Sequence, residues 1–72
     1  MAKGTARPVR RVVRDFLEDQ TPRRTQRWLA HRVGISEAYL SDILYERNEP
    51  SLGVALELSR ITGVPVERFA RG

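Results

Sequence analysis

The stretch from Thr25 to Tyr45 restricts this chain more than any other part of it, because two helix starts and one obligatory stop fall within it. Thr25 is a good N-cap for a helix over Gln26–Arg32, since its hydroxyl can accept from a free backbone N–H of the first turn. Leu29, Ala30 and Val33 lie on one face of that helix. Gly34 supplies the stop, because glycine enters the left-handed region without a Cβ penalty. Ile35 dips back toward the core, and Ser36 caps the next helix, which runs from Glu37 to about Tyr45. Its inward residues are Leu40, Ile43 and Leu44, while Glu37, Ala38, Ser41, Asp42 and Tyr45 share the outward face. The spacing predicts a tight turn between the two helices.

The flanking segments carry the same kind of punctuation. Pro8 opens a helix over about 8–20, along which Val9, Val12, Val13, Phe16, Leu17 and Gln20 recur at helical spacing with arginines on the other face. Thr21-Pro22 breaks it, and Arg23-Arg24 completes a short connection. After the polar loop Arg47-Asn48-Glu49-Pro50, Ser51 caps a helix in which Leu52, Ala55, Leu56, Leu58, Ser59, Ile61 and Thr62 form a broad apolar face, ended by Gly63. Val64-Pro65 opens a last short turn, counted as a fifth helix, in which Val66 and Phe69 close the bottom of the core. Five short helices and no strand-like alternation predict an all-α domain over residues 8–72, preceded by a flexible basic arm over residues 1–7.

A chain of 72 residues can hold one modest core, because a domain this small buries only about 60% of its unfolded-state surface. There is no cysteine and a single histidine, His31, so neither a disulfide framework nor a zinc site supplements that core, and no cofactor is expected. His31 reads as a surface residue. No nucleophile–base constellation and no glycine-rich phosphate loop occurs, and the chain is too short for an enclosed pocket, so an enzyme is not expected. No apolar run approaches the roughly 20 residues needed to span a bilayer, and the basic N-terminus lacks the apolar stretch of a signal peptide. The expectation is a cytoplasmic protein.

The net charge of +4 is unevenly placed. Residues 1–24 hold seven basic against three acidic side chains, whereas residues 25–72 hold six of each. Twelve of the thirteen basic residues are arginine, whose planar fork suits bidentate contact to phosphate or guanine. The excess is therefore an N-terminal feature that favours polyanions.

Ala30, then Gly34, then Leu40 and Ile43, is the spacing of a helix-turn-helix. Ala30 is small where the second helix crosses closely, Gly34 makes the turn, and Leu40 with Ile43 pins that helix while its other face stays free. Together with Thr25-Gln26-x-x-Leu29-Ala30, Gly34-Ile35-Ser36, Leu40-Ser41-x-Ile43, Pro50-Ser51-Leu52 and Thr62-Gly63-Val64-Pro65-Val66, the chain resembles the phage-repressor/Cro-like, XRE-type helix-turn-helix family over about residues 9–70. One departure stands out: the family commonly has Glu-Asn-Gly after the second helix of the motif, where this chain has Leu44-Tyr45-Glu46, which leaves the loop geometry there open.

The resemblance implies a compact, lambda-repressor-like bundle and sequence-specific binding of double-stranded DNA by a transcriptional regulator, of repressor or Cro type, with helix 37–45 in the major groove. It implies a homodimer, at least on DNA, on a palindromic operator, in the cytoplasm of a bacterium and at its nucleoid, the gene being bacterial or phage-borne. Gln26 at the start of its helix would bond phosphate, Glu37, Ala38, Ser41 and Asp42 would read base edges, and Arg27 and Ser36 complete the DNA-binding set at the two helix starts. Tyr45, Arg47 and Asn48 would contact backbone beyond the helix. Lys3, Arg7, Arg10 and Arg11 fit an arm along the backbone or in a minor groove, or else a solubilising tail. Glu37 also suits the dipole of its own helix N-terminus. Trp28 fits either the core edge or a place near DNA, and Tyr39 either DNA backbone or packing on the preceding helix. Dimerisation would use the last helix and neighbouring surface, with Val64, Val66 and Phe69, or be induced on DNA. A second reading is a protein-interaction module, an antitoxin or phage factor that binds a toxin, transcription or packaging partner.

Overall fold

The computed structural model describes residues 7–69. Four α-helices follow one another: α1 (Val9–Glu18), α2 (Gln26–Val33), α3 (Glu37–Leu44) and α4 (Leu52–Thr62), with one turn of 3-10 helix at Val66–Arg68. The described residues are helix, turn and loop, so the all-α expectation holds. The fifth helix is a correction. Between Pro65 and Phe69 there is room only for i→i+3 bonds, Arg68 N–H to the Pro65 carbonyl and Phe69 N–H to that of Val66, both 2.9 Å, and such a turn does not propagate. Helix α1 is also shorter than the 8–20 expected. Its closing carbonyl at Leu17 accepts from Gln20 N–H at 3.3 Å and from Arg24 N–H at 2.9 Å, so the returning chain itself ends the helix.

The caps read from the sequence are formed. Thr25 Oγ1 accepts from Trp28 N–H (3.1 Å), Ser36 Oγ from Tyr39 N–H (3.0 Å) and Ser51 Oγ from Val54 N–H (3.3 Å). Each satisfies one of the orphan donors of a helix start, worth about 1 kcal/mol. At the turn between α2 and α3, Gly34 is left-handed (φ 84°), and the Ala30 carbonyl accepts both Gly34 N–H (2.9 Å) and Ile35 N–H (3.0 Å). This double acceptance directs Ile35 inward and leaves Ser36 positioned to cap α3.

Each helix turns one stripe to a common core. Val9, Val13 and Leu17 of α1 meet Leu29 and Ala30 of α2, Leu40, Ile43 and Leu44 of α3, and Ala55 and Leu58 of α4. Val64 and Phe69 close it at 5% and 4% exposure, so they belong to the protomer's own interior and are not free for a partner, contrary to the expected dimer contact. Leu52 and Leu56, expected on the inward face, are 65% and 51% exposed. They sit one turn apart on the side of α4 away from Ala55 and Leu58, so the helix has apolar residues on both sides where its sequence showed one broad face.

Two glycines allow opposite expectations, since a Cβ at either would meet nothing within 4 Å. Gly34→Ala must place a side chain in the left-handed region and lowers stability by about 1 kcal/mol. Gly53→Ala, in the first turn of α4 with ordinary backbone angles, raises it by about 0.5–1 kcal/mol. Urea unfolding should move the midpoint down for the first and up for the second, with the slope unchanged.

Candidate nucleic-acid interface

Because Leu40, Ile43 and Leu44 anchor α3, its opposite face is set by the helical period. Glu37 and Ala38 are exposed, Ser41 and Asp42 half-exposed, and Tyr45, the C-cap residue, lies at the end of the same face. Gln26 and Arg27 begin α2 nearby, and Trp28 and Leu29 N–H groups are already held by Thr25. The first two N–H groups of α2 thus remain to face an anion.

The two carboxylates on α3 are each beside an arginine. Glu37 lies 3.7 Å from Arg27 Nε, and Asp42 Oδ1 accepts from Arg47 Nε at 3.1 Å, with Nη2 of the same guanidinium also 3.1 Å away. These exposed pairs add little to stability. Their effect is electrostatic, since each removes much of the repulsion that a bare carboxylate would meet beside phosphates.

The departure at Leu44-Tyr45-Glu46 has a definite geometry. Glu46 is left-handed (φ 61°), with its N–H on the Ile43 carbonyl (3.0 Å) and Arg47 N–H on that of Asp42 (2.8 Å). Glu46 takes the conformation that glycine favours, at about 1–2 kcal/mol for an L residue. This closure folds Arg47 back over the last turn of α3, where it reaches both the Asp42 carboxylate and the Tyr45 ring.

Two guanidinium groups lie over the Tyr45 ring, that of Arg10 at 4.9 Å and that of Arg47 at 5.1 Å from the ring centre. It joins α1 to the end of α3. Trp28 packs half-buried against the core with Arg24 at 5.0 Å and Arg32 at 5.7 Å from its ring, which places it at the core edge. Tyr39 likewise packs on the core, and His31 is exposed in the last turn of α2. Asn48 is exposed in the loop.

Of the residues expected in the arm, Lys3 lies outside the described residues. Arg7 pairs with Asp15 at 2.6 Å, and its carbonyl accepts from Arg68, so it is fastened to the domain at both its side chain and its backbone. Arg10 and Arg11 are on α1 and line a groove of about 450 Å³ between α1, the start of α2 and the end of α3. Arg14, Arg23 and Arg24 line it too, residues that sequence reading had not assigned to the interface. The signal for Arg14 was present, one turn beyond Arg10; that Arg23 and Arg24 join it depends on how the chain returns after α1.

Arg60, on α4, is held above its usual range by a hydrogen bond from its guanidinium to Glu57 and by that carboxylate's charge, and it is cationic throughout the physiological range in any case. Among the described residues there is no group of three His, Cys, Asp or Glu placed to hold a metal ion, and no helix long and apolar enough to cross a membrane.

Two consecutive helices joined by a left-handed glycine, the first crossing closely at a buried alanine and the second pinned by two apolar residues, define the helix-turn-helix class of DNA-binding domains. A family model described as helix-turn-helix matches residues 23–69, and the chain belongs to that family, of the XRE type found in Cro and lambda repressor. No curated protein and no solved structure matches it. Membership makes the protein a DNA-binding helix-turn-helix regulator, in a family that is typically non-enzymatic.

Tyr45→Ala should lower stability by about 1 kcal/mol, since two exposed cation–π contacts are lost at about 0.5 kcal/mol or more each. Tyr45→Phe keeps the ring and should stay near wild type. Urea unfolding of the two variants checks this, and equal losses would show that the hydroxyl rather than the ring face holds the arginines.

Proposed function

We propose that the protein is a repressor-like or Cro-like regulator that reads double-stranded DNA by inserting α3 into the major groove. The observation that carries this reading is the outward face of α3, where Glu37, Ala38, Ser41 and Asp42 are accessible while Leu40, Ile43 and Leu44 hold the helix rigidly from behind. Ser41 can donate or accept at a base edge, and Ala38 fits a thymine methyl. Asp42 or Glu37 can accept from cytosine N4, with Arg47 and Arg27 compensating their charge. Gln26 and Arg27 at the start of α2, Ser36 at the start of α3, and Tyr45, Arg47 and Asn48 at its end supply contacts around that face, mostly to the backbone.

Two copies would bind a palindromic operator with their recognition helices about 34 Å apart, in successive major grooves at the nucleoid. With Val64 and Phe69 committed to the core, pairing on DNA would use other surfaces.

Selection of bound sequences from random duplex at a stated salt concentration tests the reading. The expected result is an enriched half-site, repeated with dyad symmetry. Ser41→Ala should change the preferred base at one position of each half-site, weakening the original site by about 1–3 kcal/mol with little effect on stability. Sedimentation should show two copies on the selected duplex. Recovery of unenriched sequence would reject specific reading, and one copy on an unpaired half-site would reject the dimer.

A further inference from the structure

The groove between α1, the start of α2 and the end of α3 is strongly basic. Arg10, Arg11, Arg14, Arg23 and Arg24 line it, against the single carboxylate of Glu18. Four ion pairs elsewhere, Arg7–Asp15, Arg27–Glu37, Arg47–Asp42 and Arg60–Glu57, use arginines and carboxylates that are not in its lining. Arginines gathered on one wall repel one another unless an anion comes between them. The family match begins at residue 23, so nothing in it assigns a role to the α1 wall.

The groove is also continuous with the interface. Gln26, at the free N–H end of α2, and Tyr45, at the end of α3, form its other walls, and Arg10 is oriented by the Tyr45 ring. A phosphodiester strand passing α3 would meet the α2 terminus and then this row of guanidinium forks, whose geometry matches phosphate oxygens.

We propose that this groove is a phosphate-binding site for the DNA backbone beside the recognition helix, with Arg10 and Arg14 of α1 as its principal contacts. This rests on the DNA reading above and extends it. The arginines of α1 act from a fixed helix face rather than from a flexible arm, and they add affinity and docking register without reading bases.

The test measures binding of the full chain to two labelled duplexes, the selected operator and a scrambled sequence, between about 50 and 200 mM salt. Arg10→Gln and Arg14→Gln should each reduce the slope of log affinity against log salt by about 0.9 on both duplexes, and the double variant by about twice that. The preferred operator should not change. Arg10→Lys and Arg14→Lys, which keep the charge, should keep most of the slope, and Arg60→Gln, outside the groove, should leave it unaltered. Both arginines are exposed on α1, so the variants are expected to fold, and circular dichroism melts verify this.

Unchanged slopes for the glutamine variants overturn the groove while leaving α3 as reader. An equal loss for Arg60→Gln overturns it as well, because net charge alone would then explain the effect. Equal affinity for the two duplexes with the predicted slope losses supports the groove and rejects sequence-specific reading. No binding to either duplex at low salt overturns both.

Discussion

The geometry of the α2–α3 turn is the constraint on which the rest of the molecule depends. The Ala30 carbonyl accepts two backbone donors, from Gly34 and Ile35, and it can do so only while residue 34 is left-handed. That closure sends Ile35 toward the core and leaves Ser36 extended, so its hydroxyl caps α3. With its start fixed, α3 has one rotational setting that buries Leu40, Ile43 and Leu44 together. The outward set from Glu37 to Tyr45 follows. A small residue at Ala30 completes the arrangement, since a larger side chain there would push the crossing helix away and turn its free face.

Electrostatics divides the surface into parts with different work. The excess positive charge lies N-terminal to α2, and the structure gathers much of it into one groove beside the interface. The outward face of α3 carries carboxylates, each with an arginine next to it. General attraction to a polyanion and discrimination among base edges make different demands, the first for net charge and the second for placed donors and acceptors. Here they fall on adjacent elements, joined through the Arg10, Tyr45 and Arg47 stack.

Local features were legible because their causes are local. Thr25, Ser36 and Ser51 cap helices through bonds spanning three residues, and Gly34 and Gly63 end them through bonds of similar reach. Such interactions need no knowledge of the fold. The differences at α4 and at Val64 arise where a residue's neighbours lie far along the chain. Leu52 and Leu56 share helical spacing with core residues, yet more than half of each stays exposed. Val64, expected at a dimer contact, is taken inside by the packing of α4 against the 3-10 turn, beside Phe69. Glu46 is left-handed with no glycine to announce it, in a local closure where its own N–H meets the Ile43 carbonyl and that of Arg47 meets the Asp42 carbonyl.

The sequence by itself determined the helical punctuation, the buried stripes of α1, α2 and α3, the helix-turn-helix spacing and the outward register of α3. Period and capping act over a few residues, and they suffice for these features. Tertiary structure alone decided that Arg10 meets Tyr45, that Arg7 is tied to Arg68, that Trp28 sits at the core edge, and that arginines from α1 and the following loop share one groove. These juxtapositions depend on how the helices cross, and crossing is set by the fit of side chains from segments distant in the chain.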